Sequence, residues 1–246
     1  MIISKTENQA EVTTIGELSE QLLLAVKMQN PVEDLLDKLS SFHKPEMDLQ
    51  LSNDERKKAF WINVYNAYFQ IFRKSQNLQK PEIYRGKHIT IAGEKLSLDD
   101  VEHGILRRFR YKYSLGYLPN IFTPSLIRRW AVNTLDYRIH FALNCGAVSC
   151  PPIAFYSAER IEQQLELATV SFIEGDSEIK EKQKEVHVTS LFSWFRNDFG
   201  GTQGVKRIIS KHLDKDLTDY KLVYKDYSWE EQLDNYDEEK FNTNVS

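Results

Sequence analysis

The sequence predicts an α+β fold, a single domain in which several helices surround a small, mostly antiparallel sheet. Helical patterns recur along the chain, whereas the strand-like stretches are few and short. No internal repeat, low-complexity tract or Gly/Ser/Pro-rich linker divides it. With 246 residues, 41% hydrophobic and 12% aromatic, the chain can bury a substantial core without a disulfide scaffold.

Taken in order, residues 14–42 read as two helices, the second opened by Asn30 as N-cap with Pro31 at its first position. They form a helical N-terminal part, 14–45, ahead of a core from about 50 to 236. "SNDE", residues 52–55, has capping-box spacing and introduces a helix over "RKKAFWINVYNAYFQIFRK". "HITIAGEKLSL" reads as a hairpin turning at Ala92-Gly93. Ser97 and Asp100 repeat the capping-box spacing and open a helix that runs through about Phe109. "YRIHFALN", 137–144, alternates like a strand. A helix over 158–174, a strand at "EVHV", helices near 190–198 and 204–212 and a strand at "KLVYK" complete the prediction.

Charge narrows the choice of partner. The chain carries 32 basic and 36 acidic residues, a net −4 that disfavours global attraction to nucleic acid or to an anionic membrane. "MIISKTENQAEV" at the start lacks the apolar core of a signal peptide, and no stretch approaches the roughly 20 apolar residues of a membrane span. A soluble, cytoplasmic protein is expected, provided that no signal peptide precedes this sequence. Its expected partner is a small molecule or peptide, and no cofactor is implied.

Four places could carry chemistry. If 137–144 is a strand, Arg138 and His140 share its polar face and could look into a cleft, or simply into water. Glu102 falls within the apolar stripe Leu98, Val101, Ile105, Leu106 and Phe109, so it should be partly buried and need a partner, which Arg138 or His140 would supply. Its neighbour His103 points about 100° away round the helix, beside Arg107. On the long apolar helix, Asn63, Asn66 and Gln70 form a stripe of amides that must bond loop backbone or line a site.

The fourth place holds the only two cysteines, in "HFALNCGAVSCPPI". A nucleophile with a histidine base, a zinc site lacking a fourth local ligand, a disulfide and a pair of packing residues are all open. The disulfide is disfavoured in a reducing cytosol. Cys145 keeps the parity of Leu143 and should face the core, which leaves Cys150 near an imidazole. "RRFRYKY", 107–113, mixes basic and aromatic residues as single-strand binders do, but reads better as a solvated helix end. "GGTQG", 200–204, lacks phosphate-loop spacing.

"AFWINVYNAY", "SLDDVEHGILR", "LDYRIHFALNCGAVSCPPI", "LFSWFRNDFG" and "YSWEEQLDNY" resemble the family catalogued as domain of unknown function 547, found in bacteria, plants and animals. The resemblance spans roughly residues 50–236. Its hallmark positions correspond to Asn63, Tyr65, Asn66, Glu102, His103, Arg138, His140, Cys145, Cys150 and Pro151. It implies no particular reaction. In plants the domain is joined to a leucine zipper, and no heptad run of that kind is present in this sequence. Trp229 is followed by "EEQLDN", a departure from the family's usual Leu-Asn.

These readings converge on a polar cleft lined by Asn66, Glu102, His103, Arg138, His140 and Cys150. The leading expectation is a cysteine-dependent hydrolase or acyl-transfer enzyme. Cys150 would attack a carbonyl, His140 would move the proton, Glu102 would orient the imidazole or Arg138, and Asn66 would hold the oxyanion. The alternative is a non-catalytic binding or scaffold domain for a peptide or small ligand, and a metal-supported structural domain stands third. No metal ligand is assigned in the leading reading, and enzymatic and non-enzymatic roles both stay open.

Overall fold

The computed structural model describes residues 13–237. The opening stretch "MIISKTENQAEV" therefore lies outside the described residues. Thr14 and Glu17 bond each other's backbone N–H groups as a capping box and start α1, Ile15–Lys27. Asn30 does not cap the next helix. Its N–H bonds the Ala25 carbonyl at 2.9 Å and closes the turn that leaves α1, so α2, Glu33–Ser41, begins after Val32 without a side-chain cap. A short α3, Lys44–Gln50, follows and was not expected.

Asn53, one residue after the expected Ser52, caps α4 through its side chain, which accepts from the Arg56 N–H at 3.0 Å. α4, Asp54–Lys74, is buried on every side from Lys58 to Phe72 and is the axis of the molecule. α5, Glu82–Arg85, leads to the predicted hairpin of β1, Ile89–Ile91, and β2, Glu94–Leu96. Its turn residues, Ala92 and Gly93, both have positive φ, as a two-residue hairpin loop requires. The Ser97–Asp100 capping box is present and reciprocal. The helix it opens widens into a π-helix at Asp100–Leu106.

α6, Ser125–Trp130, and α7, Ile161–Asp176, lie on either side of the segment expected to be a strand. That segment is instead a 3-10 helix, Tyr137–Phe141, whose N-cap Asp136 accepts from the Arg138 N–H at 3.1 Å. Its alternating apolar residues serve two different cores: Ile139 packs into one cluster and Phe141 into another, with His140 between them. A period of two and a residue-by-residue switch between two cores give the same letters over so short a run.

The remaining strands make one mixed sheet, with β3, Glu178–Lys180, antiparallel to β4, Glu185–Val188, and β5, Lys221–Tyr224, parallel to β4. α8, Leu191–Trp194, and α9, Gly201–His212, cross between β4 and β5. The fold is thus helical with two small sheets, an α+β domain. One apolar cluster surrounds α4 and takes in α1, the hairpin and the π-helix; a smaller one joins the three-stranded sheet to α9. No helix among the described residues is long and apolar enough to cross a membrane.

Candidate functional site

Between these clusters opens a cleft of about 230 Å³. The π-helix contributes Glu102 and His103, the 3-10 helix His140, and the loop after it Cys145, Cys150 and Pro151. Trp194, Phe195, Tyr227 and Trp229 form an aromatic wall, with the indoles of Trp194 and Trp229 stacked 5.5 Å apart. A π-helix has i→i+5 bonds, as in Arg107 N–H to Glu102 O at 2.8 Å. On its wider turn, Asp99, His103 and Arg107 follow one another along one side. Arg107 bonds His103 Nδ1 at 2.9 Å, and His103 Nε2 lies 3.6 Å from Asp99.

This row continues across the seam. The Arg107 guanidinium and the Asp198 carboxylate are fully buried as a pair, Nε to Oδ2 at 2.6 Å, and His140 Nε2 meets the same oxygen at 2.9 Å. Asp198 is fixed from the loop opposite, where its neighbour Asn197 bonds the Gly116 carbonyl at 2.9 Å. Gly116 has φ +84°, and a Cβ there would come within 2.2 Å of Asp198 Oδ1, so the close approach requires glycine. The His140 ring also stacks on Phe195, with centroids 4.0 Å apart.

Burial raises the cost of ionising Asp198, but the bonds from His140 and Arg107 outweigh it and hold the carboxyl below its ordinary range. Burial, with Arg107 nearby, holds His140 down despite Asp198. A neutral imidazole facing an ionised carboxylate must carry its proton on Nε2. No hydrogen bond among the described residues occupies Nδ1, which is left as the basic nitrogen. His103 is pushed down to about 3 by burial and then by Arg107, so it too is neutral. Burial pushes Glu102 up, against Arg107 and His140, and its Oε2 accepts from the Tyr65 hydroxyl at 3.2 Å.

The cysteines are joined to each other in a disulfide. Cys145, expected to face the core, lines the cleft beside Cys150, because Gly146 at φ +70° turns the chain back within a single residue. The Tyr227 hydroxyl lies 3.1 Å from Cys150 Sγ and 3.4 Å from Cys145 Sγ. Neither sulfur is a free thiol in this state.

Of the six residues expected to share a cleft, Glu102, His103, His140 and Cys150 do so and two do not. Asn66 is buried behind the wall, its amide nitrogen donating to the Ala142 carbonyl at 2.9 Å and its oxygen accepting from the Asn144 N–H at 2.9 Å, and it does not line the cleft where an oxyanion would form. Arg138 turns the other way, to Asp136 at 2.7 Å and to Glu162 on α7, where Lys58 completes the network. The pairing expected for Glu102 is therefore replaced: Tyr65 bonds one of its oxygens and His103 Nδ1 lies 3.5 Å from the other, while the partner of His140 is Asp198.

Sequence reasoning passed over Asp198, Arg107 and Tyr227. Asp198 stands in "LFSWFRNDFG", one of the resembling stretches, and Arg107 in a stretch read as a solvated helix end.

The site defines an α+β domain whose cleft is lined by both a cysteine pair and a carboxylate-held imidazole. The chain belongs to the family described as protein of unknown function, DUF547, which matches residues 49–173. That span holds Tyr65, Glu102, His103, His140 and both cysteines, and stops before Asp198 and the aromatic wall. No curated protein and no solved structure matches the chain.

Proposed function

We propose that the cleft performs thiol-dependent acyl transfer or hydrolysis on a small molecule or peptide when the cysteine pair is reduced. The observation that carries this reading is the His140–Asp198 bond, which orients an imidazole whose other nitrogen is unengaged, in a cleft that Cys150 also lines. Reduction of the disulfide by a dithiol gives two thiols and an oxidised dithiol. His140 Nδ1 then takes the proton of Cys150, whose sulfur forms a bond to the substrate carbonyl carbon. The imidazolium returns that proton to the departing group as its bond breaks, and water or another acceptor cleaves the thioester. Asp198 acts as a positioning residue, Tyr227 supplies a hydroxyl donor near the reacting sulfur, and Glu102, raised by burial and bonded to Tyr65, adds a carboxyl to the same cleft. The reduced form suits a cytoplasmic setting.

Reduced protein mixed with p-nitrophenyl acetate should release a stoichiometric burst of p-nitrophenol and carry an acetyl group on Cys150 by mass mapping. Cys150→Ser should abolish the burst. A burst that survives Cys150→Ser, an adduct on Cys145, or no burst at all would overturn the mechanism.

The disulfide favours a second reading, a binding cleft in which the bridge staples the loop and the stacked indoles receive the ligand. In that case tryptophan fluorescence would respond to ligand equally in the oxidised and reduced protein.

A further inference from the structure

Residues 103–135 contain six Lys and Arg and no Asp or Glu, in a chain of net charge −4. Three of these cations are neutralised: Arg107 by Asp198, Lys112 by Asp99 and Arg129 by Asp48. Arg108, Arg110 and Arg128 have no carboxylate partner among the described residues. Neighbouring Arg85 bonds the Tyr113 hydroxyl at 2.6 Å.

Amid these charges the loop between the π-helix and α6 turns large apolar side chains to solvent. Phe122 is 87% exposed, Ile121 70%, Tyr113 63% and Leu118 61%, with Tyr111, Leu115 and Tyr117 also exposed. Such exposure means that Phe122, Ile121 and Leu118 stand out from the surface. The loop is held in this form by its own bonds: Tyr111 N–H to Leu118 O at 2.9 Å, Asn120 N–H to Phe109 O at 2.6 Å, and the Arg128 guanidinium on the carbonyls of Thr123 and Ile121. Contiguous apolar surface of this kind, fixed outward and rimmed by charge, marks a contact surface.

We propose that the loop over residues 109–128 docks on an anionic lipid surface. Phe122, Ile121 and Leu118 enter the acyl boundary, the tyrosines lie at headgroup level, and Arg108 and Arg110 face lipid phosphates. A nucleic-acid partner fits less well, because Ile121, Leu118 and Leu115 offer no flat face for a base to stack on. The expectation that this protein avoids membranes rests on the net charge of the whole chain. Attraction to a charged surface is set by groups within about a Debye length of it, roughly 8–10 Å, and within that reach the loop is cationic.

Co-sedimentation with vesicles tests this. The protein should bind phosphatidylserine–phosphatidylcholine vesicles, bind phosphatidylcholine alone far more weakly, and be released by salt. Ile121→Ser combined with Phe122→Ser should weaken binding more than about tenfold with an unchanged circular dichroism spectrum. Arg108→Gln should weaken it about fivefold, the effect of one surface cation. No binding to the anionic vesicles, or full binding by the double serine variant, would overturn the proposal. So would a dimer in solution that the double variant dissociates, or binding of oligothymidine in place of vesicles, since either would assign the loop to another partner.

Discussion

In the middle of α4, Asn63 and Asn66 are buried in the large cluster as neutral amides, each bonded to loop backbone. Asn63 bonds Tyr156 through both its amide nitrogen and its carbonyl, and Asn66 does the same to Ala142 and Asn144. Where the smaller cluster meets the large one, a buried ion pair, Arg107 and Asp198, holds the neutral imidazole of His140, and the three come from distant parts of the chain. An amide can satisfy a loop without a counter-charge, so it works as a staple. A buried ion pair is strongly destabilising when one partner is removed, and its geometry fixes whatever else it touches. The site's imidazole is held by the second kind of contact, while the loop that carries it and the cysteines is pinned by the first.

The contrast can be broken most forcefully at the seam. Asp198→Asn leaves Arg107 buried without a counter-charge and should lower stability by about 3–5 kcal/mol in chemical denaturation. A loss below about 1 kcal/mol would mean that the charges contribute no more than the amides. On the large cluster, Asn66→Ala should cost about 1–3 kcal/mol, because the Ala142 carbonyl and the Asn144 N–H lose their partner in the interior. A change under about 0.5 kcal/mol would remove the staple from the account.

The smallest effect is expected on the outer face, where Arg138 and Lys58 bracket Asp136. Burial alone would raise the Asp136 carboxyl, but the Arg138 hydrogen bond, followed by Lys58, brings it down to about 2, from 3.8 when unperturbed. A carboxyl depressed in the folded state stabilises above its unfolded pKa and loses that contribution as pH falls through the folded value. Asp136→Asn should therefore be less stable than the native chain by at most about 2 kcal/mol near neutrality. The difference should vanish between about pH 4 and pH 2. Parallel melting curves across that range measure it, and a constant gap would show that the effect is not ionic.

What could be read without the structure was local. The Ala92-Gly93 turn, the Ser97–Asp100 box, the stretches of α7, β4, β5 and α9, and the buried amide stripe all follow from residues a few positions apart, whose spacing is fixed by helix and strand geometry. Burial of Glu102 was equally local, since it sits in its own helix's apolar stripe. Which partners meet was decided by tertiary packing. Tyr65 reaches Glu102 from α4, and Asp198 reaches His140 from beyond β4. The run 137–144 has no strand to pair with among the described residues and coils between two cores, and that coil sends Arg138 away from the cleft while leaving His140 in it. Periodicity along a chain records which side of an element is apolar; it carries no record of what that side will face.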